Sequence, residues 1–252
     1  MHSAPSTKHN DLDIITKEFV MFMVGRLALI TFLVLMGACA KTQQAREVVR
    51  TGFLDDYSIL QKGEGKYQAL LRYVNPMTDW KHYSKVLIDP VQLWMGKSSP
   101  LLNIPREERR RLSSLLFGKL HESILSHYRI VREPGPRVMR ISVALTEAET
   151  SNSVLDTISS VLPMGYVTSG GKSLATGTGT YVGTASVEVK ITDAERGTLL
   201  AAAVDRRGGA KTLSGVTSKW DDVEQSFQYW ASLLKYRLCK LRGEFSCVEP
   251  AA

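Results

Sequence analysis

The chain has 252 residues, a formal net charge of +7 and 44% apolar residues, with three cysteines. Length and apolar content together exclude a chain too small or too polar to build its own core, and suit one domain of ordinary size. The basic balance fits nucleic acid, anionic lipid headgroups, glycan carboxylates or acidic proteins, so location has to choose among them.

Location is read from the N-terminal part. Residues Leu27 to Cys39, LALITFLVLMGAC, form an apolar run closed by Gly37, Ala38 and a cysteine, with Arg26 before it. At about a dozen residues the run is short of the roughly 20 that a spanning helix needs, which makes it the h-region of a cleaved leader. It resembles a bacterial lipoprotein signal, with Met36 in the slot usually held by Leu. That resemblance implies removal of residues 1–38 and acylation of Cys39, and Ala40 in place of Asp implies sorting to the outer membrane. Three acyl chains exceed the two signals that stable anchoring takes. The leader is long and polar from His2 to Lys17, and Met21 or Met23 would be more ordinary starts. Processing takes away Lys8, Lys17 and Arg26 together with Asp11, Asp13 and Glu18. That leaves 29 of the 32 basic and 22 of the 25 acidic residues, so the charge of +7 belongs to the mature part. A periplasmic address argues against nucleic acid as the partner. It leaves the membrane, through the anchor, and an envelope protein or glycan.

Residues 40–49 are polar without an apolar period and predict a tether over 39–50, followed by a periplasmic domain over 51–252. Lys66 to Val74 and Ser84 to Asp89 read as strands, with a turn at Asn75-Pro76. Pro105, followed by Glu107 and Glu108, starts a helix, because proline is tolerated in the first turn and acidic groups complement the N-terminal dipole. Leu112, Leu115, Leu116, Leu120, Ile124 and Leu125 then recur at helical spacing, to an end near His127 or Tyr128. Met139, Ile141, Val143 and Leu145 alternate with Arg140, Ser142, Ala144 and Thr146, the period of a strand with one buried face. The same period returns at Ala185, Val187, Val189 and Ile191. A turn over 193–197 and a partner strand over 199–205 complete a hairpin. Some 35 residues rich in Gly, Ser and Thr precede it, and Gly170 to Ala185 reads as a structured arm with Lys172 as its basic contact. Trp220, Val223, Phe227, Trp230, Leu234 and Leu238 lay an aromatic stripe on a second long helix. In an oxidising compartment Cys239 and Cys247 form an even pair, which predicts a disulfide pinning that helix. The fold class expected is α+β: a single domain with a mixed or antiparallel sheet and two long amphipathic helices packed on it.

Motifs of chemistry are weak. Gly165 to Ser173 ends like a phosphate loop, but Tyr166 stands where that pattern needs glycine, so no nucleotide cofactor is expected. His121 and His127 are six apart rather than the four that lets two histidines share a metal on one helix face, so no metal is expected. No glycine-flanked serine of the elbow type occurs. Asp79 and His82, beside Trp80 and Tyr83, are the best acid/base candidates, with a hydrogen-bonded structural turn as the simpler reading of the same residues. Asp205, Arg206 and Arg207 end an alanine-rich strand, either as ion pairs or as a basic binding rim.

The segments TGFLDDYSIL, NPMTDW, VLIDPVQLW, GKSLATGTGTYVG and ITDAERGTLLAAAVDRR resemble the proteobacterial lipoprotein family known as domain of unknown function 3313. The resemblance runs from about Thr51 to Leu238 and brings no catalytic or ligand residue with it. By element order, the core is also similar to periplasmic modules in lipoprotein activators of peptidoglycan synthases and in the curli secretion lipoprotein, a likeness of fold alone. The expected function is a lipid-anchored, non-catalytic binding or scaffolding module of the envelope. The alternatives are an oligomeric component like a secretion pore and a periplasmic enzyme using Asp79 and His82.

Overall fold

The structure is a computed structural model and describes residues 42–96, 99–150, 183–209 and 218–251. Cys39, Gly170 and Lys172 therefore lie outside the described residues, as does nearly all of the Gly/Ser/Thr arm. Only its end is described, and Thr184 and Ala185 there are strand residues.

Among the described residues, nine strands form one mixed sheet. Its centre is three long strands, β7 (Val138–Glu149), β8 (Thr184–Asp193) and β9 (Leu199–Gly209), paired antiparallel with Ile141 opposite Ile191 and Ile191 opposite Ala201. The β8–β9 turn closes because the Asp193 carboxylate accepts from the amides of Glu195 (3.0 Å) and Arg196 (2.8 Å), and Gly197 supplies the left-handed φ of 72°. Outside β9 lie β3 (Leu71–Val74) and then β2 (Gln61–Lys62). Outside β7 lie β4 (Lys85–Ile88) and β6 (Arg129–Ile130), both parallel, and β5 (Gln92–Leu93) pairs with the far end of β7. The strand expected from Lys66 is shorter at its start, since pairing begins at Leu71. The composition of residues 40–49 suggested a tether, yet β1 (Thr42–Gln44) pairs with Arg207 to Gly209 of β9. Polar side chains do not prevent a short strand whose backbone completes a sheet edge and whose side chains meet buried polar groups.

Two long helices of the described part cover one face. Helix α1 (Arg106–Leu125) buries Leu112, Leu116, Leu120 and Ile124, while Leu125 of the predicted stripe is exposed. Helix α2 (Asp221–Leu241) buries Val223, Phe227, Trp230 and Leu238, with Asp221, Asp222 and Glu224 in its first turn to complement the dipole. These side chains pack with Met139, Ile141, Val143, Leu145, Val187 and Ile191 into the main core. Gly209 is held close to the start of α2: a Cβ there would lie 2.1 Å from the Asp222 carboxylate.

The period-2 pattern of β7 predicts one buried face, but Ser142, Ala144 and Thr146 are buried too. The reason is a strap over residues 48–60. Its Phe53 and Leu54 cover Ala144, Ala202 and Val204 on the face away from the helices, making a second, smaller core. The strap is fastened by Glu188, fully buried, whose carboxylate accepts from the Thr51 amide (2.8 Å), the Thr51 hydroxyl (2.8 Å) and the Tyr57 hydroxyl. Burial and the bond to Glu188 raise the Tyr57 hydroxyl above its ordinary pKa.

Candidate ligand-binding site

The acid/base candidates Asp79 and His82 sit at a short turn. The Asp79 carboxylate accepts from the Lys81 amide (3.1 Å) and caps a short 3-10 turn over Trp80–His82. His82 is exposed, and its carbonyl accepts from Arg137 Nε (3.1 Å). Asp79 is exposed as well. Among the described residues, no group of three or more His, Cys, Asp or Glu side chains is placed to hold a metal ion. Cys239 and Cys247 are joined by a disulfide with Cα atoms 5.7 Å apart, tying the end of α2 to the segment that follows it.

Arg206 and Arg207 do not form an exposed basic rim. Their strand is central, so both are drawn into the fold. Arg206 pairs with Glu147 at 2.6 Å, each side chain no more than 15% exposed. Arg207 is buried, donates to the Thr42 hydroxyl (2.8 Å) and carbonyl (2.7 Å), and stacks 3.5 Å from the Tyr229 ring centroid. These bonds hold β1 against β9. Asp205 lies under the helices, where its carboxylate accepts from Trp230 Nε1 (2.7 Å), Gln44 Nε2 (2.6 Å) and the Leu70 amide (3.0 Å). Burial raises its pKa against the pull of those donors and of Arg207.

Asp205 also lines an apolar cavity of about 130 Å³ between α2 and the sheet. Its floor is Val187, Val189, Ala201 and Ala203. Its roof is Leu116 and Leu120 of α1 with Trp230 and Leu234 of α2. The alanines create the space, because alternate positions of β9 facing the helices carry one-carbon side chains where β7 and β8 carry valine and isoleucine. Val189, Ala203 and Leu234 are half-buried, so the cavity opens to solvent beside β3.

Two arginines stand at this opening, Arg72 of β3 and Arg237 of α2. Arg72 shares the helix-facing side of its strand with Val74, while Leu71 and Tyr73 join the strap-side core. Neither arginine forms an ion pair among the described residues, and Arg72 Nε is buried there without a hydrogen-bond partner. Burial, and next the charge of Arg72, lower the pKa of the Arg237 guanidinium. The contrast is the polar depression on the strap side of the sheet. There Arg140 is paired with Asp89 at 2.8 Å and Lys190 with Asp55 at 3.3 Å. Sequence reading missed Arg72 and Arg237 because they are 165 positions apart and each looks like an ordinary surface residue. The run of alanines over 201–203 was the available signal of a void above β9.

The family model described as "Protein of unknown function (DUF3313)" matches residues 50–234. No curated protein matches the sequence. Among solved structures, the chain is similar to the PelC dodecamer from Paraburkholderia phytofirmans, at 12% identity and a TM-score of 0.35, over 69% of this chain and 96% of that one. It is also similar to protein XCC0632 from Xanthomonas campestris, at 10% identity and a TM-score of 0.37, over 66% of this chain and 89% of the other. Lipoprotein GNA1162 from Neisseria meningitidis matches at 13% identity and a TM-score of 0.26, over 52% of this chain and 88% of the other.

Proposed function

We propose that this chain, which belongs to the DUF3313 family, is a lipid-anchored, non-catalytic binding module of the bacterial envelope. The apolar run ending at Cys39 supports acylation there and outer-membrane attachment with the domain facing the periplasm. The observation that carries the binding reading is the cavity under α2, which offers an apolar lining and two arginines that have no counter-ion among the described residues. The carboxylates best placed for chemistry support the same reading: Glu188, Asp205 and Asp79 are engaged in hydrogen bonds that hold the strap, the sheet and a turn. Such hydrogen bonds stabilise and orient the fold.

Fractionation of cells producing the Cys39→Ser chain tests the anchoring. The acyl chains are the only membrane attachment proposed, and no helix among the described residues is long and apolar enough to cross a membrane. The substituted protein should leave the outer-membrane fraction and appear in periplasmic extracts. Quantitative retention in the outer membrane would refute the lipid anchor.

A further inference from the structure

We propose that the cavity between α2 and β9 binds a single-chain fatty carboxylate, its acyl chain under Trp230 and its headgroup between Arg72 and Arg237. The inference rests on the binding-module reading above and gives that module a ligand class.

Charge sets the headgroup. Two guanidinium groups share one opening, and the Arg72 charge disfavours charge on Arg237. No acidic side chain among the described residues pairs with either. Asp205 lines the same cavity, but its carboxylate accepts three hydrogen bonds, from Trp230, Gln44 and Leu70, and its charge is answered by Arg207 rather than by Arg72 or Arg237. An anion between Arg72 and Arg237 would satisfy the buried Arg72 Nε and relieve the like-charge contact. A carboxylate presents two oxygens to a guanidinium fork.

Volume and lining set the tail. An apolar cavity of about 150 Å³ accepts a six-carbon ring, so one of about 130 Å³ takes roughly five or six carbons of one chain and not the two chains of a diacyl lipid.

The test uses the full chain carrying Cys39→Ser, with Trp230 fluorescence and calorimetry as readouts. The titrants are butanoate, hexanoate, octanoate and decanoate. Affinity should rise about fourfold per added carbon until the cavity is full, then level off. Octanol and octylammonium should bind at least tenfold more weakly than octanoate. Arg237→Gln and Arg72→Gln should each weaken octanoate tenfold or more while leaving octanol unchanged. Ala203→Leu should abolish binding of both. Because a filled cavity could also disturb folding, Arg237→Gln, at a half-buried helix position, is the decisive variant, with its circular dichroism unchanged. Equal binding of octanol and octanoate, no dependence on chain length, or an unaffected Arg237→Gln protein would each overturn the proposal. Tighter binding of octyl phosphate than of octanoate would overturn the carboxylate and assign a phosphate head. Loss of anchoring is read separately by fractionation. A protein that binds octanoate but stays in the membrane without Cys39 refutes the anchor alone, and one that is released but binds nothing refutes the ligand alone.

Discussion

Replacing Tyr57 by Phe isolates the fastening of the strap over residues 48–60. The substitution removes one hydroxyl that donates to the buried Glu188 carboxylate and accepts from the amides of Gly52 (2.8 Å) and Leu54 (3.3 Å). A hydrogen bond to a charged group contributes about 1.5–3 kcal/mol, and the half-buried ring of Tyr57 places this one near the lower end, about 1.5–2 kcal/mol. Against that loss stands the burial of Phe53 and Leu54, each about 5% exposed. At about 1.5–3 kcal/mol per side chain, the two contribute roughly 3–6 kcal/mol. Apolar burial exceeds the lost bond, so the strap stays docked and the whole domain is weakened. A domain of this size shifts by about 2–4 °C per kcal/mol, so thermal unfolding should fall by about 3–8 °C. Exchange of the Thr51 amide, which still donates to Glu188, should stay slow in the native state. In a double-mutant cycle with Glu188→Gln the two effects should couple by about 1–2 kcal/mol, since both act on one hydrogen bond. A change under about 1 °C, additive mutations, or a Thr51 amide exchanging as in an open loop would refute this account of the strap.

Three further outcomes follow from the same kind of accounting. Paired Cys239→Ser and Cys247→Ser substitutions should cost about 2–3 kcal/mol, the loop-entropy value for a bridge this short in sequence, and thiol labelling of the denatured, unreduced wild-type protein should find neither cysteine. Tyr83 is buried, and its hydroxyl donates to Asp193 (2.9 Å), so its pKa is pushed up to about 12. Its contribution is full below about pH 10 and is lost as pH rises towards 12, so Tyr83→Phe should flatten the fall in melting temperature between about pH 10 and 12 relative to wild type. Gly63→Ala would put a Cβ 1.9 Å from the Ala69 carbonyl oxygen, a backbone atom that cannot swing aside, and should lower the melting temperature by several degrees where Gly135→Ala, with open space around the new methyl, does not.

The elements that were legible in the sequence are those whose own side chains carry a period. Both long helices and the β7, β8 and β9 strands announce themselves by helical and alternating spacings, and each falls within a few residues of its expected place. What was not legible depends on partners far along the chain. Thr42 to Gln44 is a strand because β9 presents a free edge and Arg207 needs the Thr42 oxygens, and neither fact is visible in the local sequence. Glu188 alternates like a solvent-facing residue of a half-buried strand, and only the strap from 137 positions earlier turns it into a buried anchor. The candidate site is the extreme case. Its floor is an alanine run that packing alone would read as a close approach of helix and sheet, and its two arginines come from β3, one strand in from the edge, and from the last turns of α2.

The arginines also show why net charge was a poor guide to what the molecule binds. Formal charge counts Arg206, Arg207, Arg72 and Arg237 alike, yet the fold treats them in two ways. Arg206 meets Glu147, as the ion-paired reading of this strand end expected, and Arg207 is satisfied by Thr42 and the Tyr229 ring, so the alternative of a basic rim is not formed. Arg140 and Lys190 on the strap side are likewise matched by Asp89 and Asp55. Arg72 and Arg237 keep their charge beside apolar surface, where the local dielectric is low and an unanswered charge is costly. A small uncompensated charge in such a place selects a ligand more sharply than a larger charge spread over a solvated surface, because salt screens the latter and hardly reaches the former. Binding at the cavity should for that reason survive an ionic strength that removes nonspecific attraction of acidic molecules to this +7 chain.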